Sequence, residues 1–125
     1  MPSRFWRDEV VQSGLDHDVD AAIAEQQAIL AKDPQNAGAC FALGTLSQFQ
    51  GDAEQAIRYF EQAIRIDAAH APSHASLGRI YAVRGDYARA WEHARAAEKS
   101  GDRSVVELLD RYSCQPPSAR EHPHP

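Results

Sequence analysis

The feature that most constrains this chain is a period. Displaced against itself by 34 residues, the sequence brings Asp18, Asp52 and Asp86 into register, then Ala22, Ala56 and Ala90, then Ile23, Ile57 and Trp91. The last two copies agree further, pairing Ala37 with Ala71, Leu43 with Leu77, Gly44 with Gly78, Gly51 with Gly85 and Ala63 with Ala97. Self-similarity at a period of this length marks a chain built from one supersecondary unit used repeatedly, each unit too small to bury its own apolar face.

Within each copy, two amphipathic segments of about 13 residues flank a short breaker, which predicts a helical hairpin. In the second copy Asn36 is the expected N-cap of a helix from Ala37 to Gln50 that carries Phe41, Leu43, Leu46 and Phe49 and ends at Gly51. Asp52, with Gln55 three residues on, is expected to cap the second helix. Ala53, Ala56, Ile57, Phe60, Ala63 and Ile64 then recur at spacings of three and four, forming one apolar stripe. Small Gly44, Ala56 and Ala63 let helix backbones approach, while Leu43 and Phe60 fill the space between them. After the third copy, Ser104 and Glu107 have capping-box spacing and open an apolar run, Val105 to Leu109, fit to close the stack.

These residues resemble the tetratricopeptide repeat family, whose signature is W-x2-L-G-x2-Y, then A-x3-F, then Pro. The second copy reads Cys40-x2-Leu43-Gly44-x2-Ser47, then Ala56-x3-Phe60-x2-Ala63; the third reads His74-x2-Leu77-Gly78-x2-Tyr81, then Ala90-x3-Ala94-x2-Ala97. The first keeps Trp6, Ala22 and Pro34 but has Glu9 and Val10 where leucine and glycine are usual. The resemblance implies an all-α fold: a right-handed superhelix of three antiparallel helix hairpins, at about residues 3–36, 37–70 and 71–101, with a capping helix at 102–112. It spans one domain over residues 3–112. Residues 113–125 include four prolines and no apolar periodicity, and are expected to form a disordered tail.

The net charge of -5 supplies no cationic field for nucleic acid. No run of 18 apolar residues suggests a membrane span, and the charged first ten residues do not resemble a leader, so the expected location is cytoplasmic. Cys40 and Cys114 are expected to be free thiols, Cys40 as a small buried hydrophobe. No cofactor or metal is expected. His70 and His74 have i, i+4 spacing, but Pro72 marks a helix start between them, and His74 and His93 fall on different helices. No nucleophile has a recognisable base and no glycine-rich loop could cradle phosphate, so the chain is expected not to be an enzyme. Charge by copy is uneven: residues 1–33 hold three basic and seven acidic groups, residues 68–101 five and three. Such a gradient could orient an acidic ligand or promote head-to-tail association.

In proteins of the family this chain resembles, the first helix of each hairpin lines a concave groove. Carried onto this sequence, partner-binding positions are Arg7, Phe41, Thr45, Gln48, Phe49, Ala75, Arg79 and Val83, with Arg4 and Val11 on the same side. The implied partner is a protein or peptide, with Phe49 as aromatic anchor and Arg79 as a carboxylate or carbonyl donor. The carboxylate clamp of chaperone-binding members is matched only partly, with Val11, Ala42, Pro72 and Ser76 departing from it. Alternatives are homo-oligomeric self-assembly, in which Trp91 either packs inside or meets another chain, and a secretion-type chaperone holding a client.

Overall fold

The computed structural model describes the backbone of residues 3–112 and the side chains of residues 18–112. The fold is all-helical: α1 (Ser3–Lys32), α2 (Ala37–Phe49), α3 (Ala53–Ile66), α4 (Ala71–Val83), α5 (Tyr87–Lys99) and α6 (Ser104–Arg111). Each helix packs on the next in chain order, and α4 also meets α6. The expected tail, residues 113–125, lies outside the described residues, as does Cys114.

The hairpins are set by a glycine–aspartate pair. Gly51, Gly85 and Gly101 adopt φ of 82°, 79° and 99°, a left-handed backbone that a side chain disfavours. At the first turn the Gly51 N–H donates to the Gln48 carbonyl at 2.9 Å and the Asp52 N–H to the Ser47 carbonyl at 2.9 Å, a Schellman closure. Asp52 then accepts from the Gln55 N–H at 3.1 Å and so starts α3. Gly85 and Asp86 repeat the arrangement, with Asp86 accepting from the Arg89 N–H at 3.2 Å. One dipeptide therefore ends a helix and begins the next. Asn36 caps α2 through the Ala39 N–H as expected, and Pro72 lies in the first turn of α4, with His70 as the N-cap.

The first copy departs from the expected hairpin: α1 runs unbroken for 30 residues. The position in register with Gly51 and Gly85 is His17, so the residue immediately before Asp18 is not a glycine and a left-handed turn there would be strained. The stack is thus one long helix, two hairpins and a closing helix. The Gln50 side-chain amide donates to Asp20 at 3.2 Å, linking α1 to the end of α2. The capping box at Ser104 and Glu107 is corrected as well. Arg103 is the N-cap without a side-chain bond, and Asp102 instead accepts from both the Ser104 N–H, at 2.9 Å, and its hydroxyl, at 2.6 Å.

The core is built from large side chains set against small ones. Leu43, Phe60, Leu77, Val105 and Leu109 are fully buried beside Ala56, Ala63, Ala90, Ala94 and Ala97. A Cβ on Gly44 would lie 2.5–2.9 Å from three atoms of the Phe60 ring, so α2 and α3 touch there because the side chain is missing. In the third copy Ala94 stands in the register of Phe60, and the atom nearest a Cβ on Gly78 belongs to Val105 of α6, at 3.0 Å. The closing helix supplies the bulk that the repeat lacks. Trp91 is buried with Arg95 5.4 Å above its ring, which decides between its two expected placements in favour of internal packing.

Gly44→Val is expected to lower unfolding free energy by about 2 kcal/mol or more, because the fully buried Phe60 ring would have to shift to admit the new side chain. Gly51→Ala, with open space around it and only backbone strain to meet, is expected to lose about 1 kcal/mol. Urea denaturation followed by far-UV circular dichroism checks both, and equal losses would refute the steric account of Gly44.

Candidate functional site

The first helices of the two hairpins end side by side, and their last turns leave apolar side chains in solvent. Phe49 is 68% exposed and Val83 89%, each the last helical residue before its Schellman turn and 34 residues apart. Tyr112, just past α6, is 69% exposed.

Two grooves open beside Val83. One, of about 290 Å³, is walled by Gln48, Gly51 and Ala53 from the first hairpin and by Arg79, Ile80, Val83 and Arg84 from α4. The other, of about 390 Å³, runs between α4, Tyr87 and the closing helix, against Leu108, Leu109 and Tyr112. Arg79 and Val83 belong to both and form the ridge between them.

Polar groups fix the rim. Arg79 donates to the Ser104 hydroxyl at 3.1 Å, and that hydroxyl donates to Asp102, so a guanidinium–hydroxyl–carboxylate relay spans α4 and α6. The Ser104 hydrogen bonds, and more weakly the Arg79 charge, hold the Asp102 carboxyl below the usual carboxylate range. Arg84 forms an ion pair with Glu54 across the hairpins. Gln48 and Thr45 are exposed on α2, with the Thr45 hydroxyl turned back to the Phe41 carbonyl at 3.1 Å.

The positions implied by the resemblance therefore separate into groups. Gln48, Arg79 and Val83 line the grooves, while Phe49 and Thr45 are exposed on the same helix end or face as Gln48. Phe41 does not stand on a free wall. It is half-buried, with ring centroids 5.7 Å from Phe60 and 5.6 Å from His70, and joins the core. Ala75 is buried and presents no surface, since it sits on the side of α4 that faces the stack. The side chains of Arg4, Arg7 and Val11 lie outside the described residues. Leu108 and Tyr112 lie on or just past α6, outside the first helices to which the resemblance confines the groove, and Ile80 is a buried neighbour of Arg79 on α4 that forms the floor of the first groove.

The chemistry elsewhere is sparse. Cys40 is fully buried and burial pushes its thiol up, away from reactive thiolate character. Among the described residues no three His, Cys, Asp or Glu side chains gather where a metal could sit. His74 and His93, on separate helices in the sequence reading, meet in the fold with their Nδ1 atoms 3.0 Å apart. No helix among the described residues is long and apolar enough to cross a membrane.

Comparison with known proteins agrees with the second hairpin: residues 37–70 match the family model of the tetratricopeptide repeat. Six helices packed in chain order are consistent with such repeats along the stack. The chain is also 31% identical over 85 residues to a Pseudomonas putida protein named probable biofilm formation methyltransferase WspC. That match takes in 68% of this chain but spans only 20% of the relative's length. It corrects the expectation that the chain is not an enzyme. A stretch resembling this one is part of a protein named as an enzyme, and the lack of a catalytic signature inside a helical repeat says nothing about catalysis in the protein that carries it.

Because Phe41 packs and Phe49 does not, their truncations should diverge. Phe41→Ala is expected to lower stability by about 2 kcal/mol, whereas Phe49→Ala should stay within about 0.5 kcal/mol of the parent. Thermal and urea unfolding of both variants measure this, and comparable losses would place Phe49 in the core instead.

Proposed function

We propose that this chain is a binding module that holds a peptide or protein segment across the ends of α2, α4 and α6, acting in the cytoplasm. The observation that carries the reading is Val83, which is 89% exposed on a ridge between two apolar-walled grooves. Covering such a side chain on binding contributes roughly 1.5 kcal/mol or more, and a neighbouring guanidinium adds direction. Phe49, the equivalent residue one repeat earlier, is also exposed, so a ligand that reaches both meets an apolar side chain at each of these two repeats. The unpaired, buried thiol of Cys40 suits a reducing compartment.

The similarity to one fifth of a protein named a methyltransferase supports a further step in the same reading. A repeat module used beside a catalytic unit raises the local concentration of whatever it holds, without contributing to the chemistry. The bound segment would then belong to a protein on which, or with which, such an enzyme works.

The test begins with a partner recovered by affinity capture and mass spectrometry, whose binding segment is then synthesised and titrated calorimetrically. Phe49→Ala and Arg79→Ala are each expected to weaken binding by about 1–2 kcal/mol, and Val83→Glu by more, with circular dichroism unchanged. Undiminished affinity in the double variant Phe49→Ala, Arg79→Ala would sink the groove assignment.

A further inference from the structure

On the opposite side of α4 from the groove ridge, two imidazoles meet nitrogen to nitrogen. His74 of α4 is buried, at 8% exposure, and His93 of α5 is half-buried. Their Nδ1 atoms are 3.0 Å apart, and the His74 Nε2 is 2.9 Å from the Ala68 carbonyl in the α3–α4 turn. Tyr81 stacks on His93 at 5.8 Å with planes 10° apart, and Arg89 lies 5.5 Å above the Tyr81 ring.

Hydrogen-bond chemistry restricts how many protons this arrangement can hold. A carbonyl only accepts, so the His74 Nε2 must carry a proton and donate it. A neutral His74 then has a bare Nδ1, which can only accept, and the proton between the rings belongs to the His93 Nδ1. One further proton can enter on the His93 Nε2 and the bond survives. A second would give both facing nitrogens a hydrogen, and the contact would become a repulsion between two cations in a poorly solvated place.

We propose that His74 and His93 form a proton-operated clamp joining the α3–α4 turn, α4 and α5, closed while their facing nitrogens share a single proton and opened when both rings are fully protonated. The surroundings set its direction. Burial pushes the His93 imidazole below its ordinary value, and the neighbouring His74 adds to this. Glu92 on α5 and Glu61 on α3 favour the charged ring, and Arg89 on α5 opposes it. A histidine whose folded-state affinity for protons is depressed contributes stability that is complete above about pH 6.5 and is lost as pH falls below it. Since α4 carries Ile80, Arg79 and Val83 on its other flank, opening the clamp loosens the element on which the groove is built.

The full chain tests this in two ways. Nitrogen-15 NMR of the histidine rings near neutral pH should find His74 protonated on Nε2 with Nδ1 bare, and His93 protonated on Nδ1. A proton on the His74 Nδ1 at neutral pH overturns the assignment. In urea unfolding between about pH 7 and pH 5, the parent folding constant should fall by up to tenfold per pH unit more than that of His93→Gln. Parallel slopes in the parent and His93→Gln would overturn the clamp, and should that variant not fold, the ring tautomers of the parent decide alone.

Discussion

A left-handed glycine followed by an aspartate closes every interhelical turn from α2–α3 onward except the α3–α4 connection. At Gly51, Gly85 and Gly101 the backbone must adopt a positive φ to return two N–H groups to the final carbonyls of the helix just ended. The carboxylate of the aspartate that follows reaches forward to a free N–H of the next helix, or to Ser104 at the third turn. Because both jobs are confined to adjacent residues, the two helices leave the turn at a fixed angle, and the apolar stripes on their inner sides face one another without adjustment. Where the glycine is missing, at His17, the hairpin is missing too, and α1 continues as a single rod.

Once the turns fix the angle, the distance between helices follows from side-chain size. Gly44 admits the Phe60 ring, and the ring in turn reaches Phe41, so the first hairpin and its boundary with α4 share one aromatic cluster. The third copy has alanine where that ring would be, which leaves its helices close but its end uncovered. Val105, Val106 and Leu109 of α6 complete the burial. A terminal helix is therefore a structural requirement of this stack: without it Leu77, Ala90 and Ala94 would border water. The same helix provides one wall of the second groove, so the element that closes the core also shapes the surface.

Much of the fold was legible because periodicity records both helix length and helix face. Asp18, Ala22 and Ile23 keep the repeat's register, however, and register alone cannot distinguish a helix that turns from one that continues; the decisive residue was the one before Asp18. The site was harder to read. Phe41 and Phe49 occupy one helix, and the sequence contains nothing that says Phe41 has His70 and Phe60 beside it while Phe49 is left exposed. Ala75 had the same difficulty, since its side of α4 is covered only once the neighbouring helices are in place. The His74–His93 contact joins residues 19 apart on antiparallel helices, a relation that no local pattern encodes.

Exposure at Phe49 and Val83 follows from the turn itself. Each is the final residue of its helix, one step before the backbone reverses. The period then aligns these residues into a row whose spacing is that of the repeat itself. A row of this kind costs solubility in isolation and gains free energy only when another surface covers it, which is what supports the proposal that a partner is held on the side of the stack bearing Val83 and Arg79.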